Sequence, residues 1–114
     1  MIEIDVPVTI TRWFDDEPQP GLVEFTIEDR HGVLHNFHAK VPYVSDEVLE
    51  SDSVYPRKGA LRVTLLNSST DDSGARFLVV DVSHPTLVLP YADRLELEIL
   101  AAGVDWAVEG SARQ

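Results

Sequence analysis

Through most of this 114-residue chain an apolar residue stands at every second position, a pattern that few folds other than a β-sheet accommodate. Ile2, Ile4, Val6, Val8 and Ile10 alternate with Glu3, Asp5, Pro7, Thr9 and Thr11. Successive side chains of a strand point to opposite faces, so this run builds one apolar and one polar face. The alternation returns in Val23-Phe25-Ile27, in Val33-His35-Phe37-Ala39-Val41, in Leu61-Val63-Leu65, in Leu95-Leu97-Ile99 and in Val104-Trp106-Val108. Arg76 to Val82 is apolar almost throughout and reads as a strand buried on both sides or at a crowded corner. No stretch has clean helical periodicity, and parallel strands would need long crossover connections for which this chain has no room. The sequence therefore predicts an all-β, mostly antiparallel fold: a small six- or seven-stranded β-barrel or sandwich with one or two short helical turns. Closure protects strand edges, which favours the barrel.

Turn chemistry sharpens this in one place. Asp29-Arg30-His31-Gly32 separates two alternating runs, and a three-residue loop ending in a left-handed Gly32 pairs Asp29 with Val33. That register sets Ile27 opposite His35, Phe25 opposite Phe37 and Val23 opposite Ala39, with the large apolar residues on one face. Pro7 has no N–H to donate and predicts an edge position or a bend. Ser45-Asp46-Glu47-Val48-Leu49-Glu50 offers a capping serine and first-turn acids, and predicts a short helix. Ser83-His84-Pro85 predicts another helix start, or a short strand through Pro90. Tyr55 to Gly59 and Asn67 to Gly74 read as loops.

Length and composition allow one domain, with residues 1–109 forming it and 110–114 a frayed tail. With 44% hydrophobic and 25% charged residues the chain is of ordinary globular composition. There is no cysteine, which rules out disulfides, thiolate chemistry and cysteine-bound zinc. Nine Lys+Arg against 20 Asp+Glu give a formal net charge of −11. Nucleic acids and anionic membranes are held through cations, so neither is an expected partner. The charge serves solubility, or a basic partner protein. No apolar run is long enough to span a membrane, and the acidic start of the chain is unlike a signal peptide, so a cytoplasmic location is expected.

Familiar catalytic patterns are missing together. His31, His35, His38 and His84 are too divergent in parity and position for a zinc site; His35 is expected to be hydrogen-bonded within the fold and His38 to pair with Glu24 across the strand. Asp15-Asp16 and Asp71-Asp72 suit turns, and Glu96 and Glu98 suit a solvated face. No nucleophile elbow or phosphate-cradling loop is present, and no cofactor or metal is expected. The strongest lead is aromatic: Trp13-Phe14 abuts Asp15-Asp16-Glu17, and only one of two adjacent strand residues can point inward. An exposed aromatic beside acids has the composition of an interface hot spot. The sequence thus predicts a non-enzymatic protein-interaction domain with an acidic surface, of the inhibitor or immunity type for a basic partner, binding through Trp13, Phe14, Asp15, Asp16 and Glu17. The alternatives are a small enzyme or ligand-binding barrel with a site near His35 or His84, and a homo-oligomer formed through an edge strand at residues 2–10.

Overall fold

A computed structural model describes residues 2–17, 19–82 and 96–101. Their strands are β1 (Ile2–Asp15), β2 (Leu22–Glu28), β3 (Leu34–Lys40), β4 (Arg57–Thr70), β5 (Arg76–Asp81) and β6 (Glu96–Leu100). They form one antiparallel sheet in the order β3-β2-β1-β4-β5-β6, curled into a half-barrel. The described residues hold no second sheet, so the curl of a single sheet is what encloses the core. The alternating residues do the enclosing. Ile4, Val6, Val8 and Ile10 meet Phe25 and Ile27, Phe37 and Ala39, Leu61 and Val63, Leu78 and Val80, and Leu97 and Ile99 in one buried cluster. Each such side chain contributes roughly 1.5–3 kcal/mol by leaving water. No helix among the described residues is long and apolar enough to cross a membrane.

The β2–β3 hairpin has the register expected from its turn: Ile27 opposite His35, Phe25 opposite Phe37 and Val23 opposite Ala39. Gly32 has a φ of 81°, and the Asp29 N–H donates to the Val33 carbonyl at 2.9 Å.

Several expectations need correcting. Residues 2–10 are a sheet edge only in part: β1 lies between β2 and β4, but Ile2 to Val8 are paired among the described residues on the β4 side alone; the outermost strands among those residues are β3 and β6. Pro7 has the edge-type position its missing N–H predicts, since the β1–β2 ladder begins only at Thr9↔Thr26 and Pro7 is paired on its β4 side alone. The polar stretch from Asn67 continues β4 to Thr70, and the turn is confined to the residues between Thr70 and Arg76. β4 likewise starts at Arg57, within the stretch read as a loop.

No helix forms over Ser45–Glu50; a 3₁₀ turn lies just before it at Val41–Tyr43. Ser45 Oγ does accept the Glu47 N–H, at 3.0 Å, as a cap would. The Glu50 N–H, which a helix would direct to the Asp46 carbonyl, is held instead by Ser53 Oγ at 2.9 Å. Finally, β5 is not covered on both sides: Leu78, Val80 and Val82 are buried, while Phe77 and Val79 are partly exposed.

Candidate functional site

The end of the half-barrel that carries Trp13 is shaped by an irregularity in β1. Thr9 pairs with Thr26 and Ile10 with Phe25, but Arg12 pairs with Glu24 and Trp13 with Val23. Thr11 is therefore an extra residue, a β-bulge, and its Oγ1 donates to the Glu24 carbonyl at 3.0 Å. The bulge reverses the parity of the residues that follow it, as far as a second shift between Trp13 and Asp15. Trp13, rather than Phe14, turns toward the core, where it packs against the buried cluster. Its Nε1–H donates to Asp16 Oδ1 at 2.8 Å, and its ring lies over Gly21, where any Cβ would collide with it.

Phe14 faces outward and stacks on His38, with ring centroids 3.7 Å apart and planes 22° apart. The Arg12 guanidinium is 5.3 Å from the Phe14 centroid and bonds Glu24 at 3.1 Å. His38 Nε2 is 3.3 Å from the same carboxylate, the cross-strand pair expected from the sequence. Partial burial raises the Glu24 carboxyl, but the Arg12 and His38 bonds outweigh it and hold the group below the usual range. Asp15 Oδ1 accepts the Glu17 N–H at 3.2 Å, and both residues are exposed. Thus Trp13 and Asp16 belong together, whereas Phe14 lies on the other face of the strand.

Across from Trp13 runs the 44–56 connector. Leu49 anchors it in the core, Ser53 Oγ accepts the Glu50 N–H, and the Tyr55 hydroxyl donates to the Glu50 carbonyl at 2.7 Å. Burial pushes the Tyr55 hydroxyl pKa up. Glu47 is ion-paired to Arg57. Between connector and indole lies an open groove of about 800 Å³, bordered by Asp16, Asp46, Glu47, Glu50 and Asp52. No Lys or Arg is among the described residues that line it. Val48, on its border, is 89% exposed, and Val54 in the same connector is 79% exposed.

The opposite end is built from two copies of one turn. Asp29 Oδ1 accepts the N–H groups of His31 and Val33 at 2.8 and 3.0 Å. Asp71 Oδ1 accepts those of Ser73 and Ala75 at 2.9 and 3.0 Å. Gly32 and Gly74, with φ of 81° and 89°, close the two turns. His35 Nε2 donates to Asp29 Oδ2 at 2.8 Å. That bond, with the two backbone N–H groups and against a smaller effect of burial, holds the Asp29 carboxyl at about 2. The Ser73 hydroxyl, the backbone N–H groups and Arg30 lower Asp71 in the same direction.

His35 is half-buried at the rim rather than deep inside, and its ring is occupied in bracing the hairpin. Two further concavities, of about 470 and 510 Å³, lie beside Pro7, Val8, Leu34 and Leu100 and beside Asp5, Tyr43 and Arg62; His35 lines neither these nor the acidic groove. No group of three or more His, Asp or Glu among the described residues is arranged to hold a metal ion. Glu98 is bonded by Arg30 and does not form an acid–base pair with Glu96 over any of these concavities. His84, the strand expected at Val104–Val108 and the tail at 110–114 lie outside the described residues.

Of the residues singled out from the sequence, Trp13 and Asp16 line this groove; Asp46, Glu47, Glu50 and Asp52, which line it too, were not among them. Their signal was available: the connector is far longer than the roughly 4–6 residues usual between strands, and such loops commonly carry function. No family model, no curated protein and no solved structure matches this chain.

Proposed function

We propose that this domain is a non-enzymatic binding module that holds a basic protein partner in the acidic groove beside Trp13, in the manner of an inhibitor or immunity-type protein masking a cationic surface. The observation that carries the reading is the groove itself: five carboxylates border one half-exposed indole, and Arg57 is the cation paired with one of them. A lysine or arginine of a partner would meet carboxylates at the border and the π-face of Trp13 within, an attraction of roughly 0.5–2 kcal/mol for the ring alone. The Asp16 bond to the indole N–H fixes the ring's orientation before the partner arrives, which lowers the entropic cost of binding. Val48 at the border supplies apolar area that a partner would cover. The acidic field of the chain would speed association and make it salt-dependent. A cytoplasmic setting, as expected from the sequence, goes with this reading.

A titration with poly-L-lysine tests it. Asp46→Asn/Glu50→Gln/Asp52→Asn should weaken binding severalfold more than the charge-matched control Glu3→Gln/Asp72→Asn/Glu96→Gln. Equal weakening by the two triple variants would mean that the probe senses net charge alone and that the groove is not a site.

A further inference from the structure

We propose that Arg30 is a latch that holds the tip of the β2–β3 hairpin onto β6, and that the hairpin tip is a flap able to leave β6 while the rest of the sheet stays folded. The geometry points to a junction separable from the ladders. β2 runs beside β1 only as far as Thr26, and the hairpin then diverges from β1 and reaches across the curl to β6. There Arg30 makes both a backbone and a side-chain hydrogen bond to β6. Its backbone N–H donates to the Glu98 carbonyl at 2.7 Å, and its Nε donates to Glu98 Oε1 at 2.7 Å. A terminal nitrogen lies 3.6 Å from Asp71 Oδ2 in the β4–β5 turn, and the guanidinium carbon is 4.1 Å from the centre of the Phe77 ring on β5. The neighbouring His31 ring is a distant 3.9 Å from Glu98 Oε1.

One planar cation thus uses its edge on two carboxylates and its face on an aromatic ring, a combination that lysine cannot reproduce. The flap also forms one wall of a mainly apolar slot. Where β1 and β2 part, Pro7 and Val8 stand on one side, Leu34 on the hairpin, and Ile99 and Leu100 on β6, around a volume of about 470 Å³. Release of the latch would move the Leu34 wall away from the Leu100 wall. The slot would widen without any loss of β1–β4 or β4–β5 pairing.

Amide hydrogen exchange on the full chain tests this. In Arg30→Ala, amides of 29–34 and 96–100 should exchange roughly ten- to a hundredfold faster, the loss expected for charged hydrogen bonds, while those of 4–10 and 61–63 keep their protection. Arg30→Lys should fall between wild type and Arg30→Ala. The chain has no cysteine, so Val8→Cys is a unique reporter of the slot, and maleimide should label it several times faster when Arg30→Ala is added. Unchanged exchange at 29–34 and 96–100 would overturn the proposal, and so would an equal rise at 4–10, which would make Arg30 an ordinary contributor to global stability. Should Arg30→Ala fail to fold, Phe77→Leu and Glu98→Gln carry the same comparison, with the same two results deciding it.

Discussion

The two ends of the half-barrel use their carboxylates in opposite ways. At the hairpin end both oxygens of Asp29 are engaged, one by two backbone N–H groups and one by His35; Asp71 is engaged in the same fashion by its own turn and by Arg30. At the groove end Asp46 and Asp52 accept no hydrogen bond from any described side chain or backbone group, and among the described residues Glu47 alone of the connector's acids is ion-paired. Acidic residues are abundant at both ends, so abundance does not mark a binding surface. What distinguishes the ends is whether the negative charge is already satisfied inside the chain.

Substitutions can break this comparison or sharpen it. Trp13→Ala should have the largest effect, about 2–4 kcal/mol of unfolding free energy, because the indole packs on the core as well as lining the groove. Chemical denaturation measures it, and a loss below about 0.5 kcal/mol would show that the indole is not part of the core. Gly21→Ala should follow at about 1–3 kcal/mol, since Gly21 has a φ of 118° and an added methyl would strike the Trp13 ring. Its near-ultraviolet circular dichroism should change with it, as the ring is displaced.

Next come the turn acids, through pH. The Asp29 carboxyl sits at about 2 in the folded chain against an ordinary 3.8, so the unfolded chain binds its proton more readily. The stability it contributes is full above the ordinary value and disappears as pH falls from there toward 2. Asp29→Asn should therefore lower stability at neutral pH and flatten its decline in that acid window, as thermal melts at successive pH values would show. Asp71→Asn should act in the same direction. The smallest change in stability belongs to Asp46→Asn and Asp52→Asn, within about 0.5 kcal/mol, although each should weaken binding of a cationic probe. A turn acid that behaved like Asp46, or the reverse, would dissolve the distinction between the ends.

The hairpin at 22–40 was legible because two signals agree there: alternation on both sides, and a turn whose Asp and Gly leave one register that keeps the apolar residues together. The second turn has the same chemistry in Asp71-Asp72-Ser73-Gly74, yet it was read as the end of a long connector. The reason lies in its flanks: Asn67, Ser68, Ser69 and Thr70 are exposed on both faces of β4, so no apolar parity marks the strand that leads into the turn. A bulge at Leu66, between Leu65↔Val80 and Asn67↔Val79, blurs it further. Around the groove, the composition of Trp13-Phe14-Asp15-Asp16 pointed to one wall of the concavity. It could not show which aromatic turns inward, since that depends on one unpaired residue upstream. The acids of the connector were hidden by a capping pattern that begins a helix and is then overruled by Ser53. Arg30 left no trace at all, because its partners lie on β5, on β6 and in the β4–β5 turn.

The bulge at Thr11 has a bearing on how this chain can change in length. Thr11 and Arg12 both stand opposite Glu24, one residue more than the ladder requires. A chain lacking Thr11 would still place Ile10 and Trp13 inward and Arg12 outward, because Ile10, Arg12 and Trp13 would then alternate directly. Thr11 is thus a point of slack in β1, where a deletion would straighten the strand locally without turning Ile10, Arg12 or Trp13 to the opposite face.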